Sequence, residues 1–179
     1  YVYAMFGGCL LTRDRRRKYA VAGVLAAVTL ALAVGLNTGL HQYGDLSVMA
    51  LDVGQGESVA LYTREKAVLV DCGSSNSYIS AGARAADQLE SMGIHRLSAV
   101  AVTHYHADHT NGLEELLARM PVDRLLLPEI QDEYGVRDRL LALARELDIP
   151  VLMVTDTYQF PMGQAMLTVY PPGGAGDLN

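Results

Sequence analysis

The sequence predicts an α/β domain in which helices cover a mixed β-sheet, carried behind a transmembrane helix. Three observations lead there. No residue from Tyr19 to Gly44 is charged; from Asp45 onward short Val- and Leu-rich runs alternate with segments of helical periodicity; and one of those runs ends in a dense histidine–aspartate cluster. The 179 residues carry a net charge of −6, but Tyr1 to Gln42 holds five bases and one acid, and the rest holds nine bases and nineteen acids. Two environments therefore share the chain. Half of the residues are hydrophobic and two are cysteine, which excludes a disordered acidic tail and a disulfide-stapled mini-protein.

In chain order, the apolar run Tyr1 to Leu11 reads as the end of a preceding membrane helix. Residues 12–18, with Arg13-Asp14-Arg15-Arg16-Arg17-Lys18, read as a short basic cytoplasmic loop. Residues 19–40 read as the span, since a rise of about 1.5 Å per residue carries them across roughly 30 Å of hydrocarbon. Short basic loops stay in the cytoplasm, so everything after Leu40 is expected on the extracytoplasmic side. The apolar run ahead of the basic residues argues against a cleaved signal peptide, whose charged region comes first. Gly23, Ala27, Ala31 and Gly35 recur every four residues, either as a packing face for neighbouring transmembrane helices of the same parent chain or as plain alanine richness.

Beyond Asp45, the spacing predicts strands over Leu46–Leu51, Ser58–Tyr62, Ala67–Val70, Leu97–Thr103, Arg124–Leu127, Val151–Val154 and Met166–Tyr170. Helices are predicted over Ile79–Met92, stopped by Gly93, over Leu113–Met120, stopped by Pro121, and over Asp132–Leu147. Cys9 and Cys72 stand too far apart in sequence for a metal knuckle, and Cys72 reads as a small residue packed at a strand end. His41 and His95 stand alone and read as surface or interface residues. The chain begins at Tyr1 and stops at Asn179 just after Pro171-Pro172-Gly173-Gly174, and is expected to be a fragment of a longer protein.

The chemistry is concentrated at the end of the Leu97–Thr103 run, in His104-Tyr105-His106-Ala107-Asp108-His109. Neutral imidazoles and a carboxylate are what borderline divalent ions such as zinc bind, and loops at sheet ends can turn several side chains into one cavity. Alternation would set His104 and His106 on one side of an extended loop, with Asp108 and His109 turned toward a second ion. Two adjacent ions suit an in-line displacement at phosphorus or a tetrahedral carbon. Asp71, ending Ala67–Val70, could orient a metal-bound imidazole from behind or cap the turn into the following loop. Asp52-Val53-Gly54-Gln55-Gly56-Glu57 closes the first strand with two glycines that permit close backbone approach.

Together these residues resemble the metallo-β-lactamase fold: His-x-His-x-Asp-His at 104–109 and Leu-Val-Asp-Cys-Gly at 69–73 are similar to its first two motifs. Asp52-Val53-Gly54-Gln55-Gly56 with the preceding span narrows the resemblance to the C-terminal domain of ComEC-type DNA-internalisation competence proteins. The resemblance implies the N-terminal half of an αββα sandwich over residues 45–179, truncated before a downstream Asp and His, so that the isolated fragment is expected to bind metal poorly and be inactive. It implies Zn or Mn as two divalent ions, His104 and His106 on one, Asp108 and His109 on or beside the other, and catalytic roles for Asp108 and Asp71. Asp52, Gln55 and Gly56 would line the substrate site. Glu57 departs from the aspartate common at that place.

The function implied is a membrane-anchored nuclease domain hydrolysing single-stranded DNA at an uptake channel. Hydrolysis of another ester, thioester or lactam is the second reading. A non-catalytic metal-binding scaffold of the channel is the third. An oligomer is left open.

Overall fold

The computed structural model describes residues 15–40 and 46–173. The chain divides into two compact units, Tyr1–Gln42 and Tyr43–Asn179. The readings placed on Tyr1 to Leu11, on Cys9 and on His41 lie outside the described residues.

In the first unit one continuous helix, α1, covers Arg15–Leu40. It opens inside the stretch expected to be a basic loop, because Arg and Lys propagate a helix well and no proline interrupts them. Among the described residues no helix is long and apolar enough to cross a membrane. The structure therefore shows the predicted helix but does not establish it as a span. Its exposed apolar side chains, Tyr19, Val24, Val28, Leu30, Leu32 and Val34, are distributed around the axis instead of forming one stripe. The Thr29 hydroxyl donates to the Leu25 carbonyl at 2.7 Å, which satisfies a polar group within the helix itself.

The second unit is built on a six-stranded sheet in the order β1-β2-β3-β4-β5-β6. Its strands are β1 (Ser47–Ala50), β2 (Val59–Tyr62), β3 (Ala67–Val70), β4 (Ala99–Ala101), β5 (Leu125–Pro128) and β6 (Val151–Val154). The first three form an antiparallel meander, and β3 to β6 run parallel. The parallel crossovers carry α2 (Ala81–Ser91), the one-turn α3 (Ala107–Thr110) with α4 (Leu113–Arg119), and α5 (Val136–Glu146). A separate hairpin, β7 (Tyr158–Met162) and β8 (Ala165–Val169), completes the unit.

Alternation along the strands sorts the core into two layers. Leu69, Val100, Leu125 and Leu127 face the helices and pack with Ala85, Leu89, Leu116, Leu140 and Ala144. Val68, Ala99, Ala101, Leu126 and Val154 face the other way and pack with Met162, Phe160 and Leu167 of the hairpin. Burying each such leucine contributes roughly 2 kcal/mol.

Three elements differ from the sequence reading. The helix predicted from Asp132 starts at Val136, because Gly135 is left-handed at φ +64° and the Asp132 carboxylate caps the turn, accepting from the Tyr134 and Arg137 amides. The strand β7 was not predicted, since Pro161 interrupts its apolar run; it survives by pairing with β8 around a turn at Gly163, φ +63°. The turn α3 replaces an extended loop.

Helix α2 and the start of α4 touch through paired glycines. A Cβ on Gly82 would stand 2.2 Å from the Gly112 carbonyl oxygen, and one on Gly112 would stand 2.5 Å from the Gly82 nitrogen. Only hydrogen fits between these backbones. Gly82→Ala should therefore destabilise the domain by about 2 kcal/mol, the scale of overpacking a filled core. The check is a shift of the urea midpoint at unchanged slope.

Candidate metal centre

The ends of β3 and β4 bring the chemistry together. Beyond Val70, Asp71 adopts a left-handed backbone, φ +56°, and is fully buried. Its amide donates to the Ala101 carbonyl at 2.9 Å, so its position is tied to the end of β4. Its carboxylate accepts three bonds. The Thr103 amide reaches Oδ1 at 2.8 Å, the Thr103 hydroxyl reaches Oδ2 at 2.5 Å, and His109 Nδ1 lies 2.9 Å from Oδ2. A buried carboxylate is tolerable only when its lone pairs are filled in this way.

That network fixes the imidazoles. Asp71 can only accept, so His109 carries its proton on Nδ1 and turns the lone pair of Nε2 outward. The Thr103 hydroxyl, its proton already given to Asp71, accepts from His104 Nδ1 at 3.0 Å, and the lone pair of His104 also falls on Nε2. The rings of His104 and His109 have centroids 3.9 Å apart, and those of His104 and His106 are 4.8 Å apart. Burial, then the neighbouring His109 and His106, hold His104 below its ordinary pKa of 6.5. An imidazole kept neutral is the form that ligates a cation.

The one-turn α3 replaces the loop alternation expected for the last two residues of the cluster. His106 is its N-cap and its carbonyl accepts from the His109 amide at 3.1 Å, which sets Asp108 and His109 on the first turn. His109 Nε2 stands 3.7 Å from Asp108 Oδ2. The turn is packed hard against two glycines. A Cβ on Gly73 would lie 2.4 Å from the Asp108 carbonyl carbon, and one on Gly56 would lie 2.1 Å from the Gly73 oxygen. The Glu57 amide donates to the Asp108 carbonyl at 3.0 Å, and the Cys72 amide to that of His109 at 2.8 Å.

The donor set fits a divalent cation. Single atoms of Glu57, Asp71 and His109 lie within 4.8 Å of one another and could hold an ion. In that grouping His109 would offer Nδ1, which is 3.9 Å from Glu57 Oε2. The three bonds already made by Asp71 argue for the other face, where His109 Nε2 lies 3.7 Å from the half-exposed Asp108 and the ring of His104 lies beside those of His106 and His109. Asp71 then acts from behind.

Not every residue singled out in the sequence joins this cluster. Asp52 pairs with Arg84 of α2 at 3.3 Å, and its backbone is clamped by Gln88, whose Oε1 accepts from the Asp52 amide and whose Nε2 donates to the Asp52 carbonyl. It serves to moor the first turn. Gln55 offers its carbonyl to the Ser75 amide and hydroxyl, and Gly56 serves close packing. Cys72 is buried, and desolvation pushes its thiol up to about 12, so it is inert. Thr103 was missed, because a lone threonine at a strand end carries no signal until Asp71 is placed beside it. Asn111 was missed as well; its side-chain amide binds both the Ser74 amide, at 2.9 Å, and the Ser74 carbonyl, at 2.6 Å.

A sequence model of the metallo-beta-lactamase superfamily matches residues 51–177. A 27-residue stretch is 67% identical to the hydroxyacylglutathione hydrolase of Alkalilimnicola ehrlichii, covering 15% of this chain and 10% of that protein. Among solved structures, a metallo-beta-lactamase from Cronobacter sakazakii aligns at 19% identity and TM-score 0.45 over 73% of this chain and 54% of that one. The short form of human tRNase Z aligns at 17% identity and TM-score 0.42 over 69% and 59%. The chain thus spans a little over half the length of these structures and a tenth of the curated relative.

Removing the buried carboxylate tests the network. Asp71→Ala leaves the Thr103 amide and His109 Nδ1–H without an acceptor, and is expected to cost about 3 kcal/mol in urea unfolding at neutral pH. Asp108→Ala, at a half-exposed position, should cost under about 1 kcal/mol.

Proposed function

This chain belongs to the metallo-beta-lactamase superfamily, and from that premise we propose that its histidine cluster is the divalent-metal site of a phosphodiesterase acting on single-stranded DNA. The observation that carries this reading is the pair of imidazoles, His104 and His109, whose Nδ1 protons are held by Thr103 and Asp71 and whose Nε2 atoms are left to ligate. His104, His106, Asp108 and His109 would hold Zn or Mn. When bound, such ions supply Lewis acidity toward a phosphoryl oxygen and lower the pKa of water.

The chain's own residues do the rest. Asp71 keeps the proton on His109 Nδ1 and so fixes the ring. Asp108, half-exposed beside His109, is the carboxylate open to solvent that can take up a proton at its Oδ atoms. The Gly56–Gly73 contact holds α3 against the strand ends, so that these groups need little rearrangement. The charge of −10 on the chain after Gln42 opposes DNA, and bound divalent ions offset part of it at the place where the phosphate sits.

The same proposal places this domain outside the cytoplasm, tethered by α1 in the manner of ComEC-type DNA-internalisation proteins. Its support is the uncharged run from Tyr19 to Gly44, the apolar exposure around α1 and the basic residues that open that helix. A second reading, thioester hydrolysis, is favoured by the short match to a hydroxyacylglutathione hydrolase.

One comparison separates the two. The intact protein in detergent is given a single-stranded oligonucleotide, S-lactoylglutathione and nitrocefin, each with and without Mn²⁺ or Zn²⁺. Oligonucleotide cleavage that needs the ion and falls at least a hundredfold in His106→Ala is expected, with the other two substrates inert. Thioester turnover without cleavage would install the second reading, and full activity in His106→Ala would remove the metal mechanism.

A further inference from the structure

We propose that Tyr134 is a stacking platform for one nucleobase of the substrate, next to the metal centre. This deepens the phosphodiesterase reading and rests on it. A groove of about 850 Å³ runs from His106 between α3–α4 on one side and α5 on the other, with Leu140 in its wall and Tyr134 at its rim.

The backbone of Tyr134 is held at both ends. Its amide donates to Asp132 Oδ1 at 3.1 Å, and its carbonyl accepts from Arg139 Nη1 at 3.0 Å. The residue, by contrast, is 62% exposed. It stands 6.5 Å from the His106 ring, centroid to centroid, with the planes 64° apart. A large aromatic surface left in water on an immobilised backbone gives little to the fold. It is pre-organised for a flat partner, which then loses little further entropy on binding.

Charge selects the occupant. Glu114 and Glu146 line the groove against the single Arg139, so the wall is acidic. It repels a phosphate and leaves that group to the metal centre. A neutral nucleobase has no such conflict, presents a π-face to the tyrosine and offers edge donors and acceptors to Arg139 and Glu114. His106 joins the two places: it belongs to the metal cluster and also lines the groove. The substrate would therefore lie with its phosphate over the histidines and the adjacent base on Tyr134.

The test uses the intact protein in detergent with the neutral nucleoside 2-aminopurine deoxyriboside, whose fluorescence is quenched when it stacks, and a short oligodeoxynucleotide as the substrate for turnover. Wild type and Tyr134→Phe should quench it in the absence of any added metal. Tyr134→Ala, with an unchanged circular dichroism spectrum, should lose the quenching and bind about tenfold more weakly, the scale of one lost base–aromatic stack. With Mn²⁺ present, Tyr134→Ala should raise KM about tenfold and leave kcat within about twofold. Quenching and KM unchanged in Tyr134→Ala, with cleavage intact, would overturn the platform and spare the phosphodiesterase reading. Tyr134-dependent quenching by a protein that cleaves no phosphodiester would keep the base site and remove that reading instead.

Discussion

The buried Asp71 carboxylate is the constraint on which the rest of this domain depends. It has no access to water, so the several kcal/mol its desolvation costs must be offset by hydrogen bonds from the protein itself. Those bonds come from Thr103, at the end of a neighbouring parallel strand, and from His109, on the turn that follows. One side chain thereby joins the ends of β3 and β4 to α3. The left-handed backbone of Asp71, uncommon for any residue but glycine, persists because its amide is also tied to Ala101.

Stability and function are coupled through the same contacts. The three donors that make Asp71 tolerable are also what set the protons of His104 and His109, so the histidines reach their ligating form without a metal to arrange them. Burial, with His109 and His106 close by, reinforces this at His104, which is held below its usual range. The glycines at 56 and 73 perform the mechanical part, allowing the first turn, the Asp71 turn and α3 to stack backbone against backbone. Cys72, enclosed among these segments, fills space.

The sheet and the cluster were legible because their signals are local. Ala67–Val70 and Val151–Val154 have the bounds read from the sequence, and the other strands of the sheet end within a few residues of them, since apolar runs flanked by Gly, Pro or charge leave few alternatives. Three histidines within six positions at a strand end marked where His104, His106 and His109 come close, whereas Glu57, which shares the grouping of Asp71 and His109, carried no such signal. What stayed hidden depended on contacts distant in sequence. The pairing of Asp52 with Arg84, thirty-two positions away, has no signal in the sequence. Thr103 and Tyr134 have no motif at all; the first acquires meaning from Asp71 and the second from a groove formed by α4 and α5. The hairpin strand β7 was lost to Pro161, which only pairing with β8 renders harmless.

Asp71 fixes the proton of His109 on Nδ1 and turns Nε2 outward. This assignment is tested most directly by long-range ¹H–¹⁵N NMR of the histidine side chains, recorded before and after one equivalent of Zn²⁺. The His109 ring should be protonated at Nδ1 in both states, with the ion displacing the Nε2 resonance. A ring protonated at Nε2, with the change at Nδ1 on the side of Glu57, would contradict it.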